Sequence, residues 1–493
     1  MVRAAAAAYG DAIAIALDGE TIASESASFA ELNRDSAELA RGLIANGVGK
    51  GTRLGFIFGN GPGFALMLAA IARIGAIAVP ISTMIRANEL IRVLKQSDIS
   101  GLIVQRRFLN TDYVERLCEA MPELHDCGPE LRIAKAPFLR WIASTGDRLP
   151  NSMRSLVSFT HAAASVSEEL LRAVEAEVHE TDQMIEIYTS GSMALPKGVR
   201  HLHGPVLFRA GYVRDMTGLG PSEETAARMP MFWVGGLMMT LLPAWIAGAK
   251  TTCTERTMNN SRIAMGSVLA DEDLKLMGQS KPYWGLGMSE TLGPYSYGDE
   301  LRAPGYPMCA PMDHWADRYD VRVAGESDQP VPDGKIGEVQ VRGYAVTPGL
   351  HKLERLDYFT ADGYFRTGDM ALIEGSRVNF IGRSGDMIKT AGSNVAPAEV
   401  EMEMQALDGV RHAYVVGLPD QKRGQQLVAA VVPREGARLD FTEIEAKLRN
   451  QLSSYKVPRA YVEITVEDVP MLHSNKISRR KLEALVSKKL QAS

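Results

Sequence analysis

The chain has 493 residues, of which 46% are apolar, so it is long enough for two to four domains with a sizeable core, and global disorder is excluded. Its 54 basic and 59 acidic residues are intermixed and give a formal net charge of −5, which argues against a nucleic-acid surface as the main binding partner. The four cysteines form no C-x-x-C pair and are typical of reduced thiols in a cytoplasmic protein, not of a disulfide framework or a zinc site.

The first hundred residues alternate helix and strand signals. Ser28 and Glu31 have the spacing of a capping box, which predicts a helix from this point to about Gly47. Helices are also predicted over 64–74 and 89–95, and buried strands in "RLGFIFGN", "AIAVP" and "GLIVQ". Strands that alternate with helices predict a parallel sheet covered on both faces.

The most apolar stretch is "GFALMLAAIARIGAIAVP", which carries Arg73 in its middle and ends at Pro80. We interpret it as a buried helix followed by a strand, and predict no membrane span. Acidic residues follow the alanine-rich start too soon for a secretory signal. A cytoplasmic location is therefore expected.

The second half of the chain changes texture twice. Signals between about 105 and 180 are weak, apart from a predicted helix in "SEELLRAVEAEVHE". From Asp320, short alternating strands predict a small β-rich subdomain, and after Arg383 the pattern is mixed α and β again. These changes predict an α/β fold with a large N-terminal domain, residues 1–384, and a small α+β domain, residues 385–493.

The stretch "YTSGSMALPKGV" is similar to a Walker phosphate loop but differs from it at two positions. Pro196 stands where the second glycine belongs, and Gly198 stands where a hydroxyl would hold Mg²⁺. Taken alone, the stretch is either a polar turn or a loop that binds phosphate in another way. In the second case its hydroxyls, the backbone at Gly191 and the charge of Lys197 would surround an anion.

Four later stretches also carry chemistry-bearing residues, each with an ordinary structural alternative. "GMSE" ends in the carboxylate of Glu290, and its structural alternative is a helix cap. "YFRTGD" ends in Asp369, which could accept ribose hydroxyls, and its structural alternative is a plain turn. "IGRSGDMIKTAGSNVAPAEVE" places Arg383 and Lys389 around a glycine-rich bend. "SNKISRRKL" carries Lys476 ahead of a basic helix that is otherwise a solvated charged face.

Together and in this order, these stretches resemble the adenylate-forming superfamily of acyl- and aryl-CoA synthetases, firefly-type luciferases and peptide-synthetase adenylation domains. The resemblance covers nearly the whole chain and implies a mobile C-terminal lid domain. It also implies an acid–thiol ligase that uses a small carboxylic acid, ATP with Mg²⁺, and CoA. A carboxylate attacks the α-phosphate to give an acyl adenylate, and a thiol then releases AMP.

The resemblance implies a role for each matching residue. It assigns nucleotide binding to Thr189, Ser190, Gly191, Ser192, Lys197, Gly287, Met288 and Ser289, the Mg²⁺ to Glu290, the ribose to Asp369 with Arg383, and the bridge between the acid and the α-phosphate to Lys476. Lys476, Glu290 and Ser289 are the catalytic residues that it implies. It also assigns the pantetheine side to Lys389 and Gly392, the hinge to Gly385, and the acid pocket to Trp233 and Gly235.

The chain departs from the family pattern at several of these sites. Met193 and Ala194 replace a usual threonine and glycine, and Trp233 replaces a histidine that often gates the acid pocket. Leu286 stands where an aromatic residue often stacks on adenine, so Tyr283, Trp284 or neither takes that part. The region 237–284 is shorter than expected and lacks a recognisable adenine loop.

These departures leave three hypotheses open: a carboxylate–CoA ligase, an adenylation enzyme that serves a carrier-protein thiol, and a catalytically impaired nucleotide-binding homologue. The methionine-rich "MPMFWVGGLMMTLLPAW" favours core packing over a pocket. Its position beside the expected acid site still favours an apolar acyl substrate, as in fatty acid metabolism. His201 and His203 lack further metal ligands nearby, which favours a structural role. The sequence does not identify the oligomeric state, and a homodimer is one possible assembly.

Overall fold

The computed structural model describes residues 1–189, 196–255, 283–299, 308–312, 315–383, 388–395, 397–470 and 479–492. Up to residue 255, the strands are β1 Ile13–Asp18, β2 Glu25–Ser28, β3 Arg53–Ile57, β4 Ile77–Pro80, β5 Gly101–Val104, β6 Arg107–Phe108, β7 Thr111–Asp112, β8 Trp141–Ser144, β9 Met153–Ser155, β10 Gln183–Thr189, β11 Lys197–Leu202, β12 Glu224–Ala226 and β13 Lys250–Thr254. The helices are α1 Val2–Tyr9, α2 Phe29–Ala45, α3 Pro62–Ala72, α4 Ala87–Ser97, α5 Tyr113–Ala120, α6 Leu156–Ala162, α7 Glu168–Ala176, α8 His203–Thr217, α9 Val234–Gly236 and α10 Leu242–Ala247, with a π-helical segment at Leu237–Leu241 and 3₁₀ turns at Pro122–His125 and Ala163–Ser165.

The predicted capping box at the start of α2 is confirmed. The Ser28 hydroxyl accepts a hydrogen bond from the Glu31 amide at 3.1 Å, and the Glu31 carboxylate accepts one from the Ser28 amide at 2.9 Å. Because each group satisfies an amide that has no partner inside the helix, the pair fixes where the helix begins.

The predicted parallel sheet is confirmed and is larger than the sequence signals indicated. Its seven strands run in the order β11-β10-β4-β3-β5-β8-β9, and only β10 and β11 pair antiparallel. Both faces are buried, since neighbouring residues such as Phe56 and Ile57 enter two different core clusters. The strands β8 and β9 come from the stretch with weak signals. A second sheet, β12-β13-β1-β2, packs beside this one through the first core cluster.

The described residues between 283 and 383 are β-rich, which confirms the prediction for the part after Asp320. The strands are β14 Tyr283–Met288, β15 Gly293–Asp299, β16 Met308–Pro311, β17 Asp320–Ala324, β18 Ile336–Arg342, β19 Phe365–Glu374 and β20 Arg377–Arg383, with 3₁₀ turns at Ser289–Thr291 and Arg355–Asp357. β14 and β15 form a hairpin, and the other five strands form an antiparallel sheet in the order β16-β20-β19-β18-β17.

The C-terminal part is a small α+β unit with its own core. Its elements are β21 Ile388–Thr390, β22 Ser393–Val395, α11 Pro397–Gln405, β23 Val410–Asp420, β24 Gly424–Pro433, α12 Phe441–Gln451, β25 Ala460–Glu463 and α13 Arg479–Ala492. Its two core clusters contain no residue from before Ile388 among those described. The mixed α/β fold class is thus confirmed. The boundary predicted between 384 and 385 lies outside the described residues and stays a prediction, as does the mobility of the lid.

A buried group of charges joins α4 to the C-terminal part. We call it the charged cluster, and its members are Glu89, Arg92, Glu399, Glu403 and Lys456. The Lys456 ammonium lies 2.7 Å from the Glu89 carboxylate and 3.0 Å from that of Glu399, while Arg92 pairs with Glu403. The Ser453 hydroxyl adds a hydrogen bond of 2.7 Å to Glu89.

Two smaller expectations concern the whole chain. Across the described ranges, no helix combines the length and the apolar character needed to cross a membrane. Cys118, Cys127 and Cys253 are free thiols, as the sequence predicted.

Candidate active site

The phosphate-loop stretch connects the two strands of the β10–β11 hairpin. Thr189 and Lys197 are paired directly at the open end of this hairpin, so the loop between them starts and returns at one point. The Lys197 ammonium lies 4.5 Å above the Tyr358 ring, a cation–π contact. Ser190, Gly191 and Ser192 lie outside the described residues, and their phosphate role stays a prediction.

A buried carboxylate supports the base of this hairpin. Glu186 has no exposed surface, and it accepts a hydrogen bond of 2.5 Å from the Tyr188 hydroxyl. Arg53 lies 3.4 Å from its other oxygen. Burial and the neighbouring Glu186 raise the pKa of Tyr188 well above its ordinary value, so the hydroxyl stays a donor. A side chain at Gly198 would meet Glu186 at 2.6 Å, which explains the glycine.

The GMSE stretch ends β14 in a tight turn. Met288 precedes a 3₁₀ turn over Ser289–Thr291, and Leu292 follows with a φ of 50°. The Thr291 hydroxyl bonds to Gly293 O at 2.7 Å, and the Tyr319 hydroxyl donates to Thr291 O at 2.5 Å. Ser289 and Glu290 are only half-buried at the apex, where a ligand can reach them.

Hydrogen bonds connect this turn to β11, the strand that follows the phosphate loop. The His201 Nε2 atom lies 2.7 Å from the Ser289 carbonyl oxygen, and the Thr347 amide donates to the Glu290 carbonyl oxygen at 2.7 Å. Thr347 in turn donates from its hydroxyl to the Arg200 carbonyl oxygen at 2.7 Å. The sequence predicted a structural role for His201. It did not identify Ser289 as the partner, because the two residues are 88 positions apart.

The predicted ribose carboxylate and its arginine are brought together. Asp369 on β19 and Arg383 on β20 are direct cross-strand partners. Asp369 is 1% exposed, and the Tyr295 hydroxyl donates to its Oδ2 atom at 2.8 Å. Because Tyr295 lies on β15, just after the GMSE turn, it ties the aspartate to that turn. Tyr295 was missed in the sequence, since nothing local distinguishes it from a core tyrosine.

The residues predicted for the acid pocket lie on the segment that leads into α9. Trp233 is half-buried and packs edge-on against Phe232, with ring centroids 5.6 Å apart. The Met229 side chain covers Gly235 so closely that a Cβ there would lie 2.3 Å from it. Met231 and Met238 are fully buried, which confirms core packing for much of the methionine-rich stretch. Leu286 is also buried, and an adenine stack on 283 or 284 stays a prediction.

The C-terminal residues of the predicted site are described only in part. Lys389 lies on β21, its amide bonds to Gln425 at 2.8 Å, and its ammonium lies 5.6 Å from the Phe380 ring of the N-terminal part. Ala391 and Gly392 both have positive φ, 50° and 79°, and form the tight turn between β21 and β22. Lys476, the hinge Gly385 and most of the shortened 237–284 region beyond 255 lie outside the described residues.

The carboxylates of the described part of the chain fit a Mg²⁺ ion that is bound together with a nucleotide, not a metal site built from protein ligands alone. No set of three or more His, Cys, Asp or Glu side chains that could hold a metal is found among the described residues. Mg²⁺ at phosphate sites typically uses one or two carboxylates together with the phosphate oxygens and water. Glu290, at the half-buried apex of its turn, suits that arrangement.

Comparisons with known proteins identify the family and the fold. A family model described as AMP-binding enzyme matches residues 2–270, and one described as AMP-binding enzyme C-terminal domain matches residues 399–476. A feruloyl-CoA synthase from Amycolatopsis sp is 30% identical over 91% of this chain and 92% of its own length. A sulfoacetate–CoA ligase from Cupriavidus necator is 26% identical, over 92% of each chain. A double mutant of o-succinylbenzoate CoA synthetase from Bacillus subtilis, solved with a product analogue, superimposes with a TM-score of 0.72 at 19% identity over 98% of each chain.

Proposed function

Since the chain belongs to the AMP-binding enzyme family and is an acid–thiol ligase of the AMP-forming class, we propose that it joins a small carboxylic acid to CoA through an acyl adenylate. ATP is the second substrate, and AMP and pyrophosphate are the by-products. The relatives are named for acids as different as ferulate and sulfoacetate, so family membership alone does not identify the acid.

One observation carries the proposal: three separate motif segments meet in a single hydrogen-bonded framework. β11 follows the phosphate loop and holds the GMSE turn through His201, and the turn continues into β15, whose Tyr295 holds Asp369. A nucleotide that touched the loop with its phosphates and Asp369 with its ribose would therefore lie along the turn between them.

The charges of this framework suit adenylate formation. A carboxylate that approaches the α-phosphate is repelled by it, so cationic groups and amides have to compensate the negative charge on the phosphoryl oxygens. Mg²⁺, entering as Mg·ATP, supplies part of that compensation. In the proposed arrangement Lys197 neutralises the outer phosphates, Glu290 receives the cation, and Asp369 accepts both ribose hydroxyls. Lys476 bridges the acid and the α-phosphate.

The second half-reaction needs the thiol to reach the adenylate. We assign Lys389 and Gly392 to the pantetheine side, and Gly385 to the hinge about which the lid turns. The tight turn at Gly392 and the closeness of Lys389 to Phe380 support this assignment, because they put a hairpin with an exposed tip at Gly392 beside the N-terminal part.

The side chains near the turn favour an apolar acid. Met229, Trp233 and Met239 are half-buried, and the Met239 sulfur lies near Gly293, directly after the GMSE turn. These surfaces are large and uncharged. An aryl or medium-length acyl group would bury apolar area against them, whereas a second carboxylate on the acid would lose its hydration.

The test is to measure pyrophosphate exchange into ATP with a panel of carboxylic acids, followed by AMP release on addition of CoA. Exchange that depends on the acid supports a ligase. Exchange without any response to free CoA would favour a carrier-protein acceptor, and nucleotide binding without exchange would favour the impaired homologue.

Lys476→Ala makes this test specific for the proposed site. The variant should lose exchange by on the order of 10²–10³-fold, because a preorganised charge at the reacting centre is lost, yet convert a supplied acyl adenylate to the thioester. Lys481→Ala, at an exposed position on α13, is the matched control and should exchange normally. Equal exchange in the two variants would remove Lys476 from the mechanism.

A further inference from the structure

His201 lies on the strand that follows the phosphate loop, and its side chain points to the buried side. Along β11, Val199 and His201 are 0% and 1% exposed, as expected for residues that alternate with outward-facing neighbours. The His201 ring reaches the GMSE turn, where its Nε2 atom lies 2.7 Å from the Ser289 carbonyl oxygen.

The protonation of the ring follows from its partner. A carbonyl oxygen only accepts hydrogen bonds, so Nε2 carries the proton and donates. Burial lowers the pKa of His201 to about 4, so the ring is neutral and Nδ1 has a free lone pair. No partner for Nδ1 is found among the described residues.

This arrangement is not what stability alone would favour. A buried acceptor without a partner is unfavourable, whereas a leucine at the same position would fill the space without one. The benefit of a histidine here is the single bond to Ser289. That bond lies one residue before Glu290, whose own carbonyl oxygen is held by the Thr347 amide at 2.7 Å.

The two bonds fix consecutive carbonyl groups of the turn to the same strand. Thr347 donates from its hydroxyl to Arg200, and His201 is the next residue of β11. The backbone direction at Glu290 is therefore set by the strand that also carries Lys197. The strand is therefore a direct structural link between the phosphate hairpin and the turn.

We propose that His201 is a positioning residue that holds the Glu290 turn in register with the phosphate loop, so that one carboxylate and the phosphates meet the same divalent cation. The inference rests on the proposed function in one respect, the contact of Glu290 with Mg·ATP. It adds a residue outside the five motif stretches, and it concerns the affinity for the cation and not the chemical step.

The test measures metal binding without turnover. In the absence of any acid, Mn²⁺ binding to the protein–ATP complex is followed by electron paramagnetic resonance for wild type and for His201→Leu. The leucine variant should bind Mn²⁺ roughly 10- to 100-fold more weakly, the usual effect of losing a group that orients a metal ligand. Its affinity for AMP without metal should stay within about twofold of wild type.

Three further variants separate positioning from folding. His201→Gln places an amide donor near the Nε2 position and should restore most of the Mn²⁺ affinity. His203→Leu alters a second, half-buried histidine two residues away, for which no contact with the turn is described, and should bind Mn²⁺ as wild type does. If the leucine variant does not fold, His201→Asn removes the donor from the reach of Ser289 and takes its place.

Wild-type Mn²⁺ affinity in the folded leucine or asparagine variant would overturn the proposal, as would an equal loss of AMP affinity or a wild-type complex that binds no Mn²⁺. This outcome can be distinguished from a failure of the ligase proposal. If wild type binds Mn²⁺ with ATP but shows no acid-dependent exchange, the proposed function fails while the role of His201 still stands or falls on the variants.

Discussion

The Glu290 turn is half-buried at its apex and the charged cluster is largely buried, and the two polar regions are held by different kinds of interaction. The turn is held by two neutral donors from other segments of the chain, the His201 ring and the Thr347 amide. Charges of both signs form the cluster between α4 and the C-terminal part. Removing one partner of a buried neutral hydrogen bond costs about 1–3 kcal/mol, whereas removing one partner of a buried ion pair leaves an uncompensated charge and costs about 3–5 kcal/mol.

The contrast indicates different tasks. Neutral bonds suit a turn that must keep one geometry at every stage of a reaction. The charges of such a cluster are compensated when every partner is in place. They are also compensated when the two parts separate and water hydrates every charged group. Such a cluster suits an interface between two parts of a chain that are either fully docked or fully separated.

Among the changes that test this comparison, removal of the central ammonium group of the charged cluster should have the largest effect on stability. Lys456→Met keeps most of the side-chain volume but leaves Glu89 and Glu399 buried without their cation. The free energy of unfolding should fall by about 3–5 kcal/mol, the usual loss when one member of a buried ion pair is removed. Urea denaturation followed by tryptophan fluorescence and circular dichroism measures the change.

An exposed lysine provides the reference for that variant. Lys489 pairs with Asp468 at 3.0 Å with 37% of its side chain exposed, so Lys489→Met should change the free energy of unfolding by less than about 1 kcal/mol. Similar losses in both variants would mean that burial does not distinguish the charged cluster from the surface.

The neutral region should make the free energy of unfolding depend on pH. Burial lowers the pKa of His201 to about 4 from the ordinary value of 6.5, so between these two values the unfolded chain binds the proton and the folded chain does not. The free energy of unfolding should therefore fall as pH is lowered from 6.5 towards 4. A shift of this size is worth on the order of 3 kcal/mol.

The variant His201→Gln isolates this contribution from the carboxylates that titrate in the same range. Its unfolding free energy should depend less steeply on pH than that of wild type over this window, as thermal denaturation in a pH series will reveal. His125→Gln, at an exposed position, should follow the wild-type curve. A His201→Gln curve parallel to wild type would contradict the assignment of a neutral buried ring.

A smaller effect is expected where the neutral region touches the ribose site. Tyr295→Phe removes the hydroxyl that donates to Asp369 and leaves the packing intact. AMP should bind about 3- to 10-fold more weakly, because a single hydrogen bond that orients the carboxylate is lost. Titration calorimetry measures it, with Tyr344→Phe, at an exposed position, as the control.

The smallest expected effect belongs to a residue outside both regions. The Asp440 carboxylate caps α12 by accepting from the Thr442 and Glu443 amides at 2.9 and 3.2 Å. Asp440→Ala should lower the free energy of unfolding by about 1 kcal/mol and leave AMP binding unchanged. A change in AMP affinity would mean that the cap influences the nucleotide site from a distance.

Features that depend on near neighbours in sequence were predictable. The capping box of Ser28 and Glu31 and the apolar strands of the parallel sheet each involve residues a few positions apart, so the pattern contains the whole interaction. The motif order likewise identified the segments that meet at Asp369 and Glu290. The strands β8 and β9 were missed because they are short, with four and three residues.

Interactions between distant residues could not be read from the sequence. His201 and Ser289 are separated by 88 positions, and Glu89 and Lys456 by 367. A histidine on a strand and a lysine after a helix look the same in sequence whether or not the folded protein places a partner beside them. Their identity as contacts depends on the packing of whole elements, which no local pattern encodes.

The direct pairing of Thr189 with Lys197 has a consequence for protein engineering. Because the strands already pair at this point, the closure entropy of the loop between them changes by only about 0.6 kcal/mol when the loop doubles in length. Inserted reporter residues should thus leave the hairpin intact. This makes the loop the natural place for a library in which nucleotide selectivity is varied without selecting against stability.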